Sequence, residues 1–485
     1  MKHTSLRYVV GFLCLLCLQA SLHSQGITVN LHQTSAQESN QDYTEQEIER
    51  INQRLEDDLA SIQISDKEQR EFLATAYKSV AEDLIRKINR HELLFDSRLQ
   101  KIVDQLAEEI FQANPQLPRE EIKIYLSRAP IVNASTYMNG TIILYAGLIA
   151  RMENMDELAF VLCHEISHYL LTHSKEDLEN VLEFTFSEET AEELKKINAS
   201  EYDRRRQLRK FMEGAVYERG RHSRTHELEA DSIGFELLRK TPYRSRGVIE
   251  TLVMLDQADE ELTELPSLKS TFDHPDFNFR NSWLLEEDAG FIMGSKLQVF
   301  DVDSIKTHPD CQERIEKLSP LIESNTPRSE LLAQEFQYLK TNLSFEIVEF
   351  YHDYGNYGRM IHEARNLLVK YPQNAYLHSR IGLGLLYIWQ AQLNHEKGKV
   401  VQQSNPRFSD SYKETLLMLN NMRLSELKGL AVNYIDRYSQ QFDQNEHFLF
   451  AMIKCAEYTE RSTWQSLKQS YRQQFPNGLY ILETQ

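Results

Sequence analysis

Residues 154–170 read NMDELAFVLCHEISHYL, and this stretch decides how the rest of the chain is interpreted. Its apolar residues recur at helical spacing. Asn154, with Glu157 three residues later, has the pattern of a capping box, so we predict a helix that begins here. His164 and His168 are four residues apart, and side chains at that spacing project from one face of a helix.

His164, Glu165 and His168 form the pattern HExxH, which suits a zinc site. Two imidazole nitrogens on one helix face can approach a single Zn²⁺ to about 2.0–2.1 Å. Glu165 lies between the two histidines and can take a proton from a water molecule without binding the metal. Apolar flanks bury the helix, and buried polar groups without compensation are costly, so a metal explains the histidines well. Two satisfied core histidines are the alternative.

A catalytic zinc site needs a third protein ligand and an open fourth position. Residues 227–231 (ELEAD) offer one, because Glu227 and Asp231 share one face of a predicted helix that runs from about residue 225 to 239. Glu227 can bind the metal, and Asp231 can hydrogen-bond the far nitrogen of a ligand histidine. Glu229 is expected to point elsewhere. His226 is a rival ligand that spacing does not exclude, and a bare acidic helix is the other alternative.

The order of the motifs resembles peptidase family M48, a family of gluzincins. The matching segments are HEISH at 164–168, SRTHELEAD at 223–231, and THP at 307–309 with ERI at 313–315. A further match is VNA at 132–134, followed by Gly140 and Gly147. The resemblance covers roughly residues 95–320. It implies one Zn²⁺ per chain, with Glu227 as the third ligand beside the two histidines.

The resemblance also implies roles for residues outside the ligand set. The strand near Asn133 and Ala134 is expected to be an edge that receives substrate by β-augmentation. His308 is expected to cap the zinc when substrate is absent, and Arg314 to steady the oxyanion. The alternative for this segment is a helix-start His-Pro with a surface arginine.

Two features of the sequence leave these assignments open. His274-Pro275 with Arg280 has the same spacing as the His308–Arg314 segment, although the helix predicted after Arg314 fits the family better. The family's strand usually reads Asn-Ala-Phe-Ala, followed by Pro-Gly-Gly. This chain departs from it, so the substrate preference at that edge is not defined; the departures are Ser135, Thr136, Met138 and Asn139.

Composition and periodicity predict a mainly α fold with a small β-sheet (α+β). Glycine (17) and proline (12) are scarce among the 485 residues, and a helical pattern runs from about residue 45 to 113. Strands are predicted at 122–126, 131–134 and 141–145. After Pro327 the pattern is helical throughout. Pro372 and Pro476 lie about three units of the 34-residue tetratricopeptide period apart, which predicts degenerate helical repeats. A plain helical bundle is the alternative.

The predicted organisation has four segments. Residues 1–24 have the basic start, apolar run and small residues of a secretory signal, and 25–94 are a leader with helices that pack on the next domain. Residues 95–325 are the zinc metallopeptidase domain, and 330–485 are a tetratricopeptide-like domain. We expect an exported protein, periplasmic or secreted, with no integral membrane span after signal cleavage. An uncleaved N-terminal anchor is the alternative.

Charge and resemblance together define the expected partners. The formal net charge of −19 argues against nucleic acid and anionic membrane surfaces. A peptidase followed by helical repeats is similar to the soluble BepA-like branch of the family, which implies polypeptide substrates and envelope assembly proteins bound by the repeats. The leading interpretation is an endopeptidase that cleaves unfolded or misassembled exported proteins. Alternatives are a chaperone with a latent zinc site capped by His308, or a structural zinc protein, against which Glu165 argues.

Overall fold

The computed structural model describes residues 41–95, 97–200, 203, 207, 223–258, 264–285, 311–322, 330–406 and 408–484. These residues divide into two compact units. The N-terminal unit contains the described residues of 41–258 and 311–343, and the C-terminal unit contains those of 264–285 and 344–484. Residues 264–285 thus group with the C-terminal helices, whereas the sequence analysis placed them in the peptidase segment. The predicted domain boundaries stay predictions.

Helices build most of the N-terminal unit, so the mainly α prediction is confirmed. The helical pattern predicted for residues 45–113 is three helices that are separated by short turns. The helices of this unit are α1 Gln41–Ala60, α2 Lys67–Asn89, α3 Arg98–Ala113, α4 Ala146–Arg151, α5 Met155–Leu170, α6 His173–Phe186, α7 Glu188–Ala199, α8 223–238, α9 Arg246–Asp256 and α10 Cys311–Leu318.

Three short strands form one sheet beside these helices. They are β1 Lys123–Ser127, β2 Ala134–Thr136 and β3 Thr141–Tyr145, in the order β1-β3-β2. β1 is parallel to β3, and β2 is antiparallel to it, so β2 lies at an edge of this sheet. Gly140, with φ of 80°, turns the chain between β2 and β3 in a conformation that favours glycine.

The second strand lies two to three residues further along the chain than predicted. The sequence placed it at 131–134, but Ala134–Thr136 pair with β3. Because the turn at Gly140 sets Ala134 opposite Leu144, residues before 133 would need partners beyond Tyr145. The chain becomes helical at Ala146, so the ladder ends there.

Helix α5 begins where the sequence predicted. The Asn154 side chain accepts hydrogen bonds from the backbone N–H groups of Asp156 and Glu157, at 3.0 and 3.2 Å. All residues from Met155 to Ser167 are buried. A helix that is buried on every side lies in the core rather than at the surface. Its polar motif residues therefore lie in surroundings from which most water is excluded.

The long elements among the described residues of the C-terminal unit are all helices, which confirms the helical pattern predicted after Pro327. Residues 357–370 and 464–474 are helices that end two residues before Pro372 and Pro476. The elements are α11 Leu268–Phe272, α12 Glu330–Asp353 (which begins in the N-terminal unit), α13 Tyr357–Lys370, α14 Ala375–Leu393, α15 Lys397–Val400, α16 Asp410–Asn421, α17 Leu424–Tyr438, α18 Glu446–Tyr458 and α19 Trp464–Gln474.

Helix α14 lies at the centre of the core of this unit. Its Gly382 approaches α17 so closely that a Cβ atom would lie 2.7 Å from a side-chain carbon of Ile435. Arg380 is 1% exposed and donates to both carboxylate oxygens of Glu349, at 2.7 and 2.8 Å. The Glu349 carboxylate compensates the buried positive charge of Arg380, which would be costly without a partner. The tetratricopeptide-like character of this unit stays a prediction.

Several predicted features lie outside the described residues. They are the signal sequence at 1–24, the start of the leader, and His308. Among the described helices, none is both long and apolar enough to cross a membrane.

Candidate metal centre and active site

Helix α8 places the acidic motif at 227–231 beside the HExxH motif of α5. The two helices meet at Gly234, where a Cβ atom would lie only 3.0 Å from the Cα atom of His164. This close approach suits a residue without a side chain. It brings Glu227 and Asp231, which precede Gly234 by seven and three residues on α8, against the two histidines.

Three side chains, two of them buried and that of His168 15% exposed, direct donor atoms at one another. His164 Nε2 lies 3.0 Å from His168 Nε2 and 3.7 Å from Glu227 Oε2. His168 Nε2 lies 3.4 Å from Glu227 Oε1. These three residues form a group that could hold a metal ion. The structure thus brings together the ligand set that the sequence analysis expected.

The spacing of these atoms fits a tetrahedral zinc ion. Ligand atoms at about 2.0–2.1 Å from such an ion lie about 3.3 Å from one another. The distances of 3.0, 3.4 and 3.7 Å between the donors bracket this value. Two imidazoles and one carboxylate are also the donor set of many catalytic zinc sites.

The balance of buried charge also fits a divalent cation. Glu165, Glu227, Asp231 and Arg314 are all at most 6% exposed. Three carboxylates and one guanidinium leave two negative charges in this buried group when the histidines are neutral. Buried charge without a counter-charge is expensive. A divalent cation at the donor atoms would neutralise it.

Asp231 orients the first histidine. Its Oδ1 lies 3.0 Å from His164 Nδ1. Burial alone would raise the pKa of Asp231, but hydrogen bonds from His164 and Arg314 hold it below its ordinary value. An ionised carboxylate can only accept, so His164 donates its Nδ1–H to Asp231. The Nε2 lone pair of His164 therefore points towards the other donors, as metal binding requires.

Arg314 forms ion pairs with the two carboxylates of α8, Asp231 and Glu227. Its Nε and Nη2 donate to Asp231, at 2.6 and 2.7 Å, and its Nη1 lies 2.8 Å from Glu227 Oε2. It is 2% exposed, which is not the surface arginine of the alternative interpretation. The guanidinium therefore fixes both acidic side chains. Its role at the oxyanion stays a prediction, and so does the capping role of His308.

His226 is turned away from the metal donors. Its ring stacks on that of His173, with centroids 4.0 Å apart, and its nitrogens lie 3.4 and 3.6 Å from carboxylate oxygens of Glu176 and Asp177. The rotation of α8 that points Glu227 at the histidines of α5 points its neighbour elsewhere. The geometry therefore favours Glu227 as the third ligand.

Glu229 points away from the metal donors, as expected from the sequence, and it contacts a further histidine. Its Oε2 lies 3.2 Å from His173 Nε2, and His173 Nδ1 lies 2.9 Å from His168 Nδ1. No motif in the sequence singles out His173. Its position just after the HExxH helix was the one feature of the sequence that pointed to it, but no spacing rule assigns a partner to a histidine at that position.

Thr136 is a second residue that the sequence analysis did not place in the site. Its hydroxyl donates to Glu165 Oε2 at 2.6 Å, and it also lies 3.0 Å from the Glu165 carbonyl oxygen. This threonine is one of the departures from the usual family strand. It ties edge strand β2, which follows directly on Asn133, to the proposed general base.

Two imidazoles and a carboxylate around one point, with a glutamate between the two histidines, define a metallopeptidase centre of the HExxH class. Among known proteins, residues 94–322 match the model of Peptidase family M48. M48 metallopeptidases are zinc-dependent in general.

Two curated relatives are named as proteases. The chain is 33% identical over 137 residues to the "Metalloprotease YcaL" of Escherichia coli (strain K12), which covers 28% of this chain and 51% of the relative. It is 25% identical over 187 residues to the "Beta-barrel assembly-enhancing protease" of Yersinia pestis, which covers 38% of each protein. The chain therefore spans about half or less of the length of these relatives.

Proposed function

We propose that this protein is a zinc-dependent endopeptidase that hydrolyses peptide bonds in unfolded or misassembled exported proteins. The observation that carries the proposal is the group of His164, His168 and Glu227, whose donor atoms lie 3.0–3.7 Å apart. Glu165 is adjacent on the same helix and is buried beside them. The family assignment of residues 94–322 supports the same chemistry.

The metal and the protein side chains have different roles in hydrolysis. When bound by the three ligands, zinc lowers the pKa of water towards about 7 and polarises the substrate carbonyl. Glu165 accepts the proton of the attacking water and passes it to the amide nitrogen that leaves. Thr136 holds Oε2 of this carboxylate. Its Oε1, which has no hydrogen-bond partner among the described residues, is the atom that takes the proton.

Strand β2 offers a backbone edge for an extended substrate. The Tyr137 N–H donates to the Thr141 carbonyl at 2.8 Å. Backbone groups alternate along a strand, so those of Ser135 also face β3, and those of Ala134 and Thr136 face outwards. The Thr136 carbonyl already accepts from the Ser174 hydroxyl at 2.9 Å, so the groups of Ala134 are the ones this edge offers. A substrate segment that pairs with this edge passes the general base, because Thr136 contacts Glu165.

A cavity beside His168 gives room for substrate side chains. It has a volume of about 330 Å³, which is in the range of ligand pockets, and Tyr137 and Met138 at the end of β2 line it. Arg54 and Lys175 contribute positive charge to its wall, and Glu121 contributes negative charge. A polypeptide that continues along β2 would place a side chain here.

The cellular role rests on the sequence pattern and on the named relatives. The secretory signal pattern at 1–24 supports export to a bacterial envelope. The Yersinia pestis relative is named for β-barrel assembly, which supports unfolded or misassembled envelope proteins as substrates. The C-terminal unit is the part of the chain we assign to binding substrates or envelope assembly proteins.

The ligand set can be tested by a pair of neighbouring variants. Glu227→Ala is expected to lose stoichiometric zinc and all hydrolysis of unfolded casein, because it removes one of three protein ligands. His226→Phe is expected to retain both, since His226 faces away from the donors. Zinc is measured by elemental analysis after gel filtration, and hydrolysis by release of labelled fragments. If the wild-type protein binds no zinc, or if Glu227→Ala binds it as tightly as wild type, the proposal fails.

The edge strand is tested by proline substitution. Ala134→Pro removes a backbone donor from the outer edge, and proline is tolerated where an edge N–H faces outwards. One lost hydrogen bond is worth about 0.5–1.5 kcal/mol, so KM for an extended peptide is expected to rise roughly 2–10-fold. The control is Ser135→Pro, which removes a bond to β3 and is expected to lower the melting temperature. An unchanged KM for Ala134→Pro would contradict β-augmentation here.

A further inference from the structure

His173 lies against the face of His168 that points away from the metal donors. The two Nδ1 atoms are 2.9 Å apart, and the side chain of His173 is only 4% exposed. Its Nε2 lies 3.2 Å from Glu229 Oε2, whose side chain is 54% exposed. A continuous path of polar contacts thus runs from His168 through His173 to a carboxylate at the surface.

An unusual backbone conformation places His173 there. Thr172, between α5 and α6, has φ of 59° and ψ of 23°, in the left-handed region. This region is rare for a β-branched residue and costs about 1–3 kcal/mol, which the surrounding structure must offset. The turn reverses the chain just after α5. It returns His173 to His168, five residues earlier in the sequence.

The hydrogen-bond partners assign one proton to each contact. If His168 binds the metal through Nε2, that atom has no proton, so neutral His168 carries its proton on Nδ1. His173 Nδ1 must then accept, which leaves the His173 proton on Nε2. That proton is donated to the carboxylate of Glu229. Each of the three side chains thus donates or accepts through an atom that can do so, and no atom takes part in two of these contacts.

From this arrangement we infer that His173 and Glu229 are positioning residues for the metal ligand His168. The inference rests on the proposed function, because it concerns the zinc site proposed above. His173 fixes the tautomer and the ring orientation of His168, and Glu229 fixes the tautomer of His173. Asp231 does the same for His164. The two histidine ligands are therefore oriented by different means, one by a buried carboxylate and the other by a histidine backed by an exposed carboxylate.

The alternative role of His173 is to fill space. Its ring stacks on His226 with 9° between the planes, and a phenyl ring would preserve that stack. A variant that keeps the ring and removes its nitrogens therefore separates the two roles. His173→Phe does this, and His173→Asn restores an acceptor oxygen close to the position of Nδ1.

Zinc affinity is the direct measurement, by competition with a chromophoric chelator in the full-length protein. Removing such an orienting partner typically costs 10–100-fold in metal affinity. His173→Phe is expected to weaken zinc binding by about that factor, and His173→Asn to recover most of it. Glu229→Ala is expected to weaken binding less, because water can replace a half-exposed carboxylate. His226→Phe, the matched control, is expected to bind zinc as wild type does.

A second measurement distinguishes a specific loss of His168 orientation from a general loosening of the metal site. In the cobalt-substituted protein, the Nδ1 protons of His164 and His168 give separate shifted resonances. His173→Phe is expected to broaden the resonance of His168 by solvent exchange and to leave that of His164 sharp.

Equal zinc affinity of His173→Phe and wild type, at unchanged melting temperature, would overturn the inference and leave the peptidase proposal intact. Equal loss in His173→Phe and His173→Asn would also overturn it, since the acceptor would then be irrelevant. Failure of wild type to bind zinc would instead refute the proposed function.

Discussion

Glu165→Gln is expected to reduce kcat for unfolded casein by about 10²–10⁴-fold, the usual contribution of a general base. Glutamine has nearly the same size, and its carbonyl oxygen can still accept the hydrogen bond from Thr136. It cannot accept the proton of the attacking water. Since Glu165 is not a ligand, zinc content is expected to stay at one ion per chain. The measurements are kcat from initial rates and zinc from elemental analysis.

The matched control for this prediction lies on the same helix. Glu157→Gln makes the same chemical change at another buried glutamate of α5, where the carboxylate accepts from the Glu153 N–H at 3.1 Å. Its kcat is expected to be that of wild type. A Glu165→Gln protein that retains more than a tenth of the wild-type kcat would show that Glu165 is not the base. The same protein, if inert, is suited to trapping bound substrates in cells.

The parts of the site that helix geometry determines could be predicted from sequence. Side chains four residues apart share a face, and this relation links His164 to His168 and Glu227 to Asp231. Residue spacing alone could not decide between Glu227, which the family resemblance implies, and His226, because that choice depends on how α8 is rotated against α5. Packing at Gly234 fixes that rotation, and no local pattern reports it.

Contacts between elements account for what the sequence analysis did not find. Thr136 and Glu165 are 29 residues apart, and His173 and Glu229 are 56 apart. Each pair meets because a sheet edge or a tight turn packs on α5. The strand that carries Thr136 was displaced in the prediction for a similar reason, since the turn at Gly140 and the end of β3 set its register.

Arg314→Met is expected to lower the free energy of unfolding of the zinc-free protein by about 3–5 kcal/mol. Removing one partner of a buried ion pair leaves the other charge without compensation, and costs of that size follow. Here one guanidinium contacts both Asp231 and Glu227, and all three residues are at most 6% exposed. Methionine keeps the length of the side chain and removes the charge. Urea denaturation with a chelator present measures the loss without a contribution from bound metal.

An exposed pair provides the control for this prediction. Arg119 and Glu108 also form an ion pair, but the Arg119 side chain is 58% exposed. Arg119→Met is therefore expected to cost only about 0–1 kcal/mol. The comparison also separates the two roles of Arg314. If Arg314→Met stays within about 1 kcal/mol of wild type but loses kcat, the guanidinium acts on the substrate oxygen, as the family resemblance implies. A large loss of stability, with zinc affinity lowered in parallel, would show that Arg314 holds Glu227 and Asp231 in the positions that metal binding requires.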